Sequence, residues 1–225
     1  MKNAITSDQM YRIEEKGHSS LGMRRFLMME NAGHGVADFV AARYRTKLKN
    51  KRIVAVCGTG NNGGDGFVAS RHLAGYGSNI TIILLGSPSD IKSEEARLNW
   101  GIIQKMTSID VLVGQEITDE LRKIISKSEV ILDAIFGTGI RGEIREPYAS
   151  AIEAINANRR AYIVAVDMPS GFDPNTAKIH DRCVKADATV TFHRPKVGLA
   201  RGRKYTGRVH VEWIGIPPEA EEGVV

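Results

Sequence analysis

Arg52-Ile53-Val54-Ala55-Val56-Cys57-Gly58-Thr59-Gly60-Asn61-Asn62-Gly63-Gly64-Asp65-Gly66 joins a continuous apolar run to a glycine-rich turn, which opens a helix. A run such as IVAV lacks the strict alternation of a half-exposed strand, so it reads as a strand covered on both faces. Six further runs have a similar look, at residues 79–85, 110–113, 129–135, 162–166, 188–192 and 208–214. Residues 66–76, 89–104, 118–126 and 147–156 have the length of crossover helices between them. Repetition of strand, helix and strand predicts a mostly parallel sheet with helices on both sides, an α/β architecture. Right-handed crossovers then place every strand-to-helix loop on one edge.

The chain ahead of the first strand reads as helix. Thr6 or Ser7 caps a short one that ends near Gly17, a residue suited to a helix C-terminus. In residues 22–44 Phe26, Met29, Ala32, Val36, Phe39 and Val40 recur at three- and four-residue steps, the core stripe of a longer helix. At the other end, residues 217–225 read as an untied tail or the start of a linker.

The 225 residues, 42% apolar and 25% charged, suit one sizeable core and exclude a disordered chain. Apolar runs such as residues 80–85, with one threonine inside, are far below the ~20 residues of a bilayer span, and the first ten residues lack a secretory apolar stretch. The expected setting is therefore soluble and cytoplasmic. Cys57 and Cys183 form neither a metal-ligand pair nor a redox motif. The net charge of +5 is modest, and its basic stretch (Lys185, Arg194, Lys196, Arg201, Arg203, Lys204, Arg208) reads as a solvated face.

Three loops at the predicted edge carry the chemistry. The first contains the G-x-G-x-x-G spacing, in which missing side chains let backbone N–H groups approach a pyrophosphate. It is not a Walker loop, because Gly64 and Asp65 follow Gly63. Nor is it the ordinary dinucleotide fingerprint, since Gly86 and Ser87 end the next strand where a ribose-binding acid belongs. The spacing returns in Gly137-Thr138-Gly139-Ile140-Arg141-Gly142, followed by Glu143, and the third loop is Asp167-Met168-Pro169-Ser170-Gly171. Asp133 interrupts an apolar strand, and a buried carboxylate needs a partner or a cation. With Asn62 and Ser170 near the same edge, one carboxylate and two neutral oxygens suit a monovalent ion better than a divalent one. Asp133 as a metal-free cap on loop N–H groups is the alternative.

The combination of Gln9-Met10, Met29-Glu30-Asn31-Ala32-Gly33, the Gly60 to Gly66 loop, Asp133-Ala134-Ile135-Phe136-Gly137-Thr138-Gly139, Asp167-Met168-Pro169-Ser170-Gly171 and Pro195-Lys196-Val197-Gly198-Leu199 resembles the NAD(P)H-hydrate epimerases. These form the N-terminal epimerase domain of nicotinamide nucleotide repair proteins. The resemblance spans nearly the whole chain. It implies a Rossmann-like three-layer α/β/α sandwich over residues 1–216, a homodimer, and one potassium ion per subunit. It also implies interconversion of the R and S forms of hydrated NADH or NADPH at the hydroxyl-bearing nicotinamide carbon. Substrate would meet Asn61, Asn62, Gly63, Gly64, Asp65, Gly137, Thr138, Gly139, Ile140, Arg141, Gly142, Glu143 and Asp167. Potassium would meet Asn62, Asp133 and Ser170. Some members are fused to an ADP- or ATP-dependent dehydratase, the expected functional partner.

Inversion beside a ring nitrogen needs proton transfer and no redox step. Asp167, partly desolvated at a strand end, is the candidate acid and base. Lys196 reads as a surface lysine, with phosphate stabilisation as the alternative. A competing reading is a non-catalytic RNA-associated scaffold module of the same fold, contacting RNA through residues 194–208. No membrane partner is expected. Another is an ordinary NAD dehydrogenase, weakened by the missing ribose acid.

Overall fold

The computed structural model describes residues 3–139 and 142–225. Seven strands form one sheet: β1 (Arg52–Cys57), β2 (Asn79–Leu85), β3 (Ile109–Gly114), β4 (Val130–Ala134), β5 (Tyr162–Val166), β6 (Ala188–Phe192) and β7 (Arg208–Glu212). Their order is β3-β2-β1-β4-β5-β6-β7, and every neighbouring pair is parallel. Four of the expected runs, β1, β2, β5 and β6, match residue for residue; the other three shift by one or two residues at their ends.

Continuous apolar strands are buried on both sides because side chains alternate between two cores. Ile53, Ala55 and Cys57 of β1 join the larger core with α1 (Ser7–Ser19), α2 (Arg25–Tyr44), α3 (Asn61–Gly75) and α4 (Glu94–Ile103), through Ile13, Val36, Phe67 and Trp100. Val54 and Val56 face the second core, made with α5 (Asp119–Lys127) and α6 (Tyr148–Ala157) through Ile125 and Ile152. The result is a three-layer α/β/α sandwich with a Rossmann-like strand order. The chain leaves β1 in one direction through β2 and β3, then returns to place β4 on β1's other side. That reversal is the topological switch point at which open α/β sheets bind ligands.

Two expectations are corrected. α3 begins at Asn61, not at Gly66, so the glycine-rich stretch is itself the first turn and a half of helix. Glycine's low helix propensity hid this start, and close packing offsets the cost. A Cβ on Gly63 would lie 1.9 Å from the carbonyl oxygen of Gly58, and one on Gly64 2.6 Å from Met29 Cε.

Residues 217–225 are not untied. Pro218–Glu221 forms a 3₁₀ turn whose Ala220 is fully buried. Glu221 accepts from Arg194 Nε at 2.5 Å, and α1 holds the segment through Gln9 Nε2 to Val224 O (3.0 Å) and Lys16 Nζ to Glu222 O (2.9 Å). No described helix is long and apolar enough to cross a membrane.

Candidate functional site

The three loops meet at one cavity of about 700 Å³ at the switch point. After β1, Gly60 caps α3 without a side-chain bond, so the first N–H groups of the helix stay available for an anion. Asn61, Asn62 and Asp65 line the cavity, whereas Gly63 and Gly64 are buried and serve the packing described above. After β4 come Gly137, Thr138 and Gly139, with Glu143 further along the same wall. Gly142, in a left-handed conformation (φ 76°), is not part of the lining. Ile140 and Arg141 lie outside the described residues.

Asp167 follows β5 and is only 8% exposed. Its φ of 61° is a left-handed conformation that aspartate tolerates better than most residues, and it turns the carboxyl back over the sheet edge. Oδ1 accepts from Lys196 Nζ at 2.6 Å and from Thr191 Oγ1 at 3.1 Å. Oδ2 points to Gly137: a Cβ there would sit 3.3 Å from Asp167 Oδ2 and 3.3 Å from Asn62 Oδ1. The missing side chain keeps that floor open.

Lys196 is the main correction to the sequence reading. It is 1% exposed, and its ammonium donates to Asp167 Oδ1 (2.6 Å), Thr191 Oγ1 (3.0 Å) and the Phe192 carbonyl (3.1 Å). Three donors meet three acceptors, so the buried charge is fully satisfied. With Arg194 bound to Glu221, two of the seven basic residues serve the interior, while the other five remain exposed. Breaking a buried pair strands the remaining charge, at a cost of about 3 kcal/mol. Lys196→Met is accordingly expected to lower the melting temperature by about 6–12 °C. A shift under about 2 °C would mean that Asp167 reaches solvent without its lysine.

Asp133 is fully buried behind the cavity wall. Its Oδ2 accepts from the Ser170 N–H at 2.7 Å, and its Oδ1 from Ser170 Oγ at 2.5 Å. Burial pushes its pKa up to about 6 against those hydrogen bonds. Asn62 differs: both Nδ2 and Oδ1 are buried with no partner.

Two carboxyls complete the electrostatics. Burial, then Asp167 and Glu14, push Asp65 well above the usual carboxylate range, against Lys196. Burial likewise raises Glu14 to about 7, with Lys196 and Arg25 opposing and Asp167 adding to the rise. Glu14, Tyr11 and Arg25 line the cavity from the N-terminal helices. The sequence reading missed Glu14, whose position on an amphipathic helix looks like any solvated acid.

Comparison with known proteins agrees with this architecture. The model of the family described as YjeF-related protein N-terminus matches residues 26–198. The NAD(P)H-hydrate epimerase of Nitrosopumilus maritimus is 48% identical over 98% of this chain and 99% of its own length. The protein of that name from Cenarchaeum symbiosum is 48% identical over the same shares. The bifunctional NAD(P)H-hydrate repair enzyme Nnr of Pyrobaculum aerophilum is 45% identical over 97% of this chain, which spans 43% of that longer protein. The crystal structure of yeast ynu0 superposes with a TM-score of 0.84 at 26% identity, covering 99% of this chain and 93% of the other. By its matched residues and these full-length likenesses, the chain belongs to the YjeF-related protein N-terminus family.

Proposed function

We propose that the chain is an NAD(P)H-hydrate epimerase, interconverting the R and S forms of hydrated NADH or NADPH. The observation that carries this is 48% identity to proteins of that name over nearly the whole of both chains. The cavity suits the substrate: helix N–H groups for a pyrophosphate, two glycine loops for a close backbone approach, and a carboxyl facing inward. The RNA-scaffold reading gains nothing from the relatives and leaves the gathered Asn62, Asp133, Asp167 and Ser170 without a purpose. The test is chromatographic. Pure R hydrate should approach the mixed equilibrium faster with protein than in buffer, with no absorbance change from net redox; equal rates would end the reading.

Asp167 is the acid and base of this proposal. Lys196 and Thr191 hold Oδ1, which leaves Oδ2 to exchange a proton beside Gly137. The ring nitrogen expels the hydroxyl once it is protonated, and water returns on the other face. Asn61, Asn62, Asp65, Gly137, Thr138, Gly139 and Glu143 would form the substrate wall, with Ile140, Arg141 and Gly142 in the same loop. Gly63 and Gly64 would support it from beneath.

Potassium, one ion per subunit, belongs to the same proposal, with Asn62, Asp133 and Ser170 as its ligands. The residues fit: Asn62 Oδ1 is a buried acceptor without a donor, and Asp133 is a buried carboxylate with no cationic partner among the described residues. When bound, the ion would offset the charge of Asp133 and tie together the loops after β1, β4 and β5. Exchange of potassium for tetramethylammonium at equal ionic strength separates site binding from screening. The melting temperature should fall, apparent substrate affinity should weaken, and Asp133→Asn should abolish most of both responses. An indifferent parent protein would return Asp133 to the role of loop cap, which its bonds to Ser170 already fill.

A homodimer is also proposed. It draws support from β7, an edge strand that exposes Val211 and is followed by the exposed Trp213. A separate or fused ADP- or ATP-dependent dehydratase would consume the product, as the bifunctional relatives suggest. The proposed setting is the cytoplasm.

A further inference from the structure

We propose that Glu14 is a second catalytic carboxyl of this cavity, exchanging a proton on the ring face opposite the one served by Asp167. The proposal rests on the epimerase reading and extends it, since inversion moves oxygen off one face and onto the other. One carboxyl fixed to the sheet edge cannot attend both faces at hydrogen-bond distance.

α1 is fixed rigidly enough to present such a group. Ile5 forms a parallel bridge with Lys196, giving its N–H to Pro195 O (2.9 Å) and accepting from the Val197 N–H (3.0 Å). Thr6 then caps the helix, accepting from the Gln9 N–H at 3.1 Å. Met10, Ile13 and Gly17 face the core. Tyr11 and Glu14, one turn apart, instead face the cavity. The charged groups around Glu14 are Lys196 and Asp167 from the sheet edge, Arg25 from α2 and Asp65 from α3. Arg25 is bound to Glu15, and among the described residues the Glu14 carboxyl has neither a salt bridge nor a hydrogen bond. A half-buried carboxyl without a partner, lining the same cavity as Asp167 but carried by a helix and not by the sheet edge, is available to a ligand. Its pKa of about 7 allows it to hold or release a proton at neutral pH.

The step balances. Glu14 gives its proton to the hydroxyl oxygen, the carbon–oxygen bond breaks, and the ring nitrogen's electron pair forms a carbon–nitrogen double bond as water leaves. A second water adds from the other face and passes a proton to Asp167. One water leaves, one enters, and no electrons are exchanged with an outside partner. The pair carries one proton before and after, moved from one carboxyl to the other, and exchange with solvent resets it.

The test measures kcat and KM from pure R and pure S hydrate between pH 5 and 9, for the parent, Glu14→Gln and Glu14→Asp. In the parent, kcat/KM should fall as pH rises through about 7, when Glu14 loses the proton that the pair must carry. The fall should be the same in both directions, because the epimer equilibrium itself involves no proton. Glu14→Gln should lose ~10²-fold or more in kcat with KM changed less than about threefold, and should lose the alkaline limb. Glu14→Asp should recover part of the rate together with the limb, and this variant decides the matter if the glutamine fails to fold. A glutamine variant within about threefold of the parent overturns the proposal, as does a slow one that keeps the limb. An inactive parent overturns the epimerase reading itself.

Discussion

Asp167→Asn is expected to bind hydrated NADH or NADPH nearly as well as the parent and to turn it over ~10²-fold or more slowly. Asparagine is the informative replacement. It tolerates the left-handed backbone at φ 61°, and its amide oxygen still accepts from Lys196 and Thr191, so the floor of the cavity keeps its shape. Proton exchange is removed, together with the carboxylate charge. Losing the partner charge of a buried lysine will cost stability as well, so the rate must be measured well below the variant's melting temperature. A variant as fast as the parent would show that Asp167 has no part in moving the proton, and would leave solvent or another carboxyl to do so.

Gly63→Ala should be among the most damaging single methyl additions to this chain. The new Cβ would fall 1.9 Å from Gly58 O and 2.9 Å from Gly58 C. Backbone cannot rotate aside as a side chain does, and Gly58 is held by its N–H bond to Ala134 O at 3.0 Å. α3 must therefore lift from the β1–β4 edge. A loss of about 3 kcal/mol or more is expected, lowering the melting temperature by about 6–12 °C and weakening substrate binding as the helix N-terminus moves. Gly75→Ala at the far end of the same helix is the control, because a Cβ there meets nothing within 4 Å. It should be neutral or slightly stabilising through helix propensity. Similar melting temperatures for the two variants would refute the close approach.

These outcomes depend on features of unequal visibility in the sequence. β1, β2, β5 and β6 were legible because a strand buried on both faces writes an unbroken apolar run. The three loops were legible because glycine and acid cluster where such runs stop. The start of α3 was hidden, since what places Asn61 to Gly66 in a helix is their fit against Gly58, Met29 and Cys57, a tertiary cause with no local signature. Lys196 was misread for a related reason. A lysine is ordinarily a surface residue, and its acceptors Asp167 and Thr191 come from the end of one strand and the middle of its neighbour. Glu14 carried no signal of its own, because only the docking of α1 turns it toward the cavity. The tail was misjudged likewise: two prolines and a run of acids look like linker until Glu221 is seen against Arg194.

The anchoring of α1 also sets an order of events during synthesis. This helix precedes the whole sheet in the chain, yet two of its anchors, Glu222 and Val224, lie 206 and 215 positions downstream of Lys16 and Gln9. The bridge from Ile5 to Lys196 has a similar span. The β1 to β4 half can assemble while translation continues, but the wall that bears Glu14 lacks these anchors until residues 196–224 appear. A nascent chain stalled before residue 196 would therefore carry much of the sheet and no closed cavity, so catalytic competence would wait for residues 196–224.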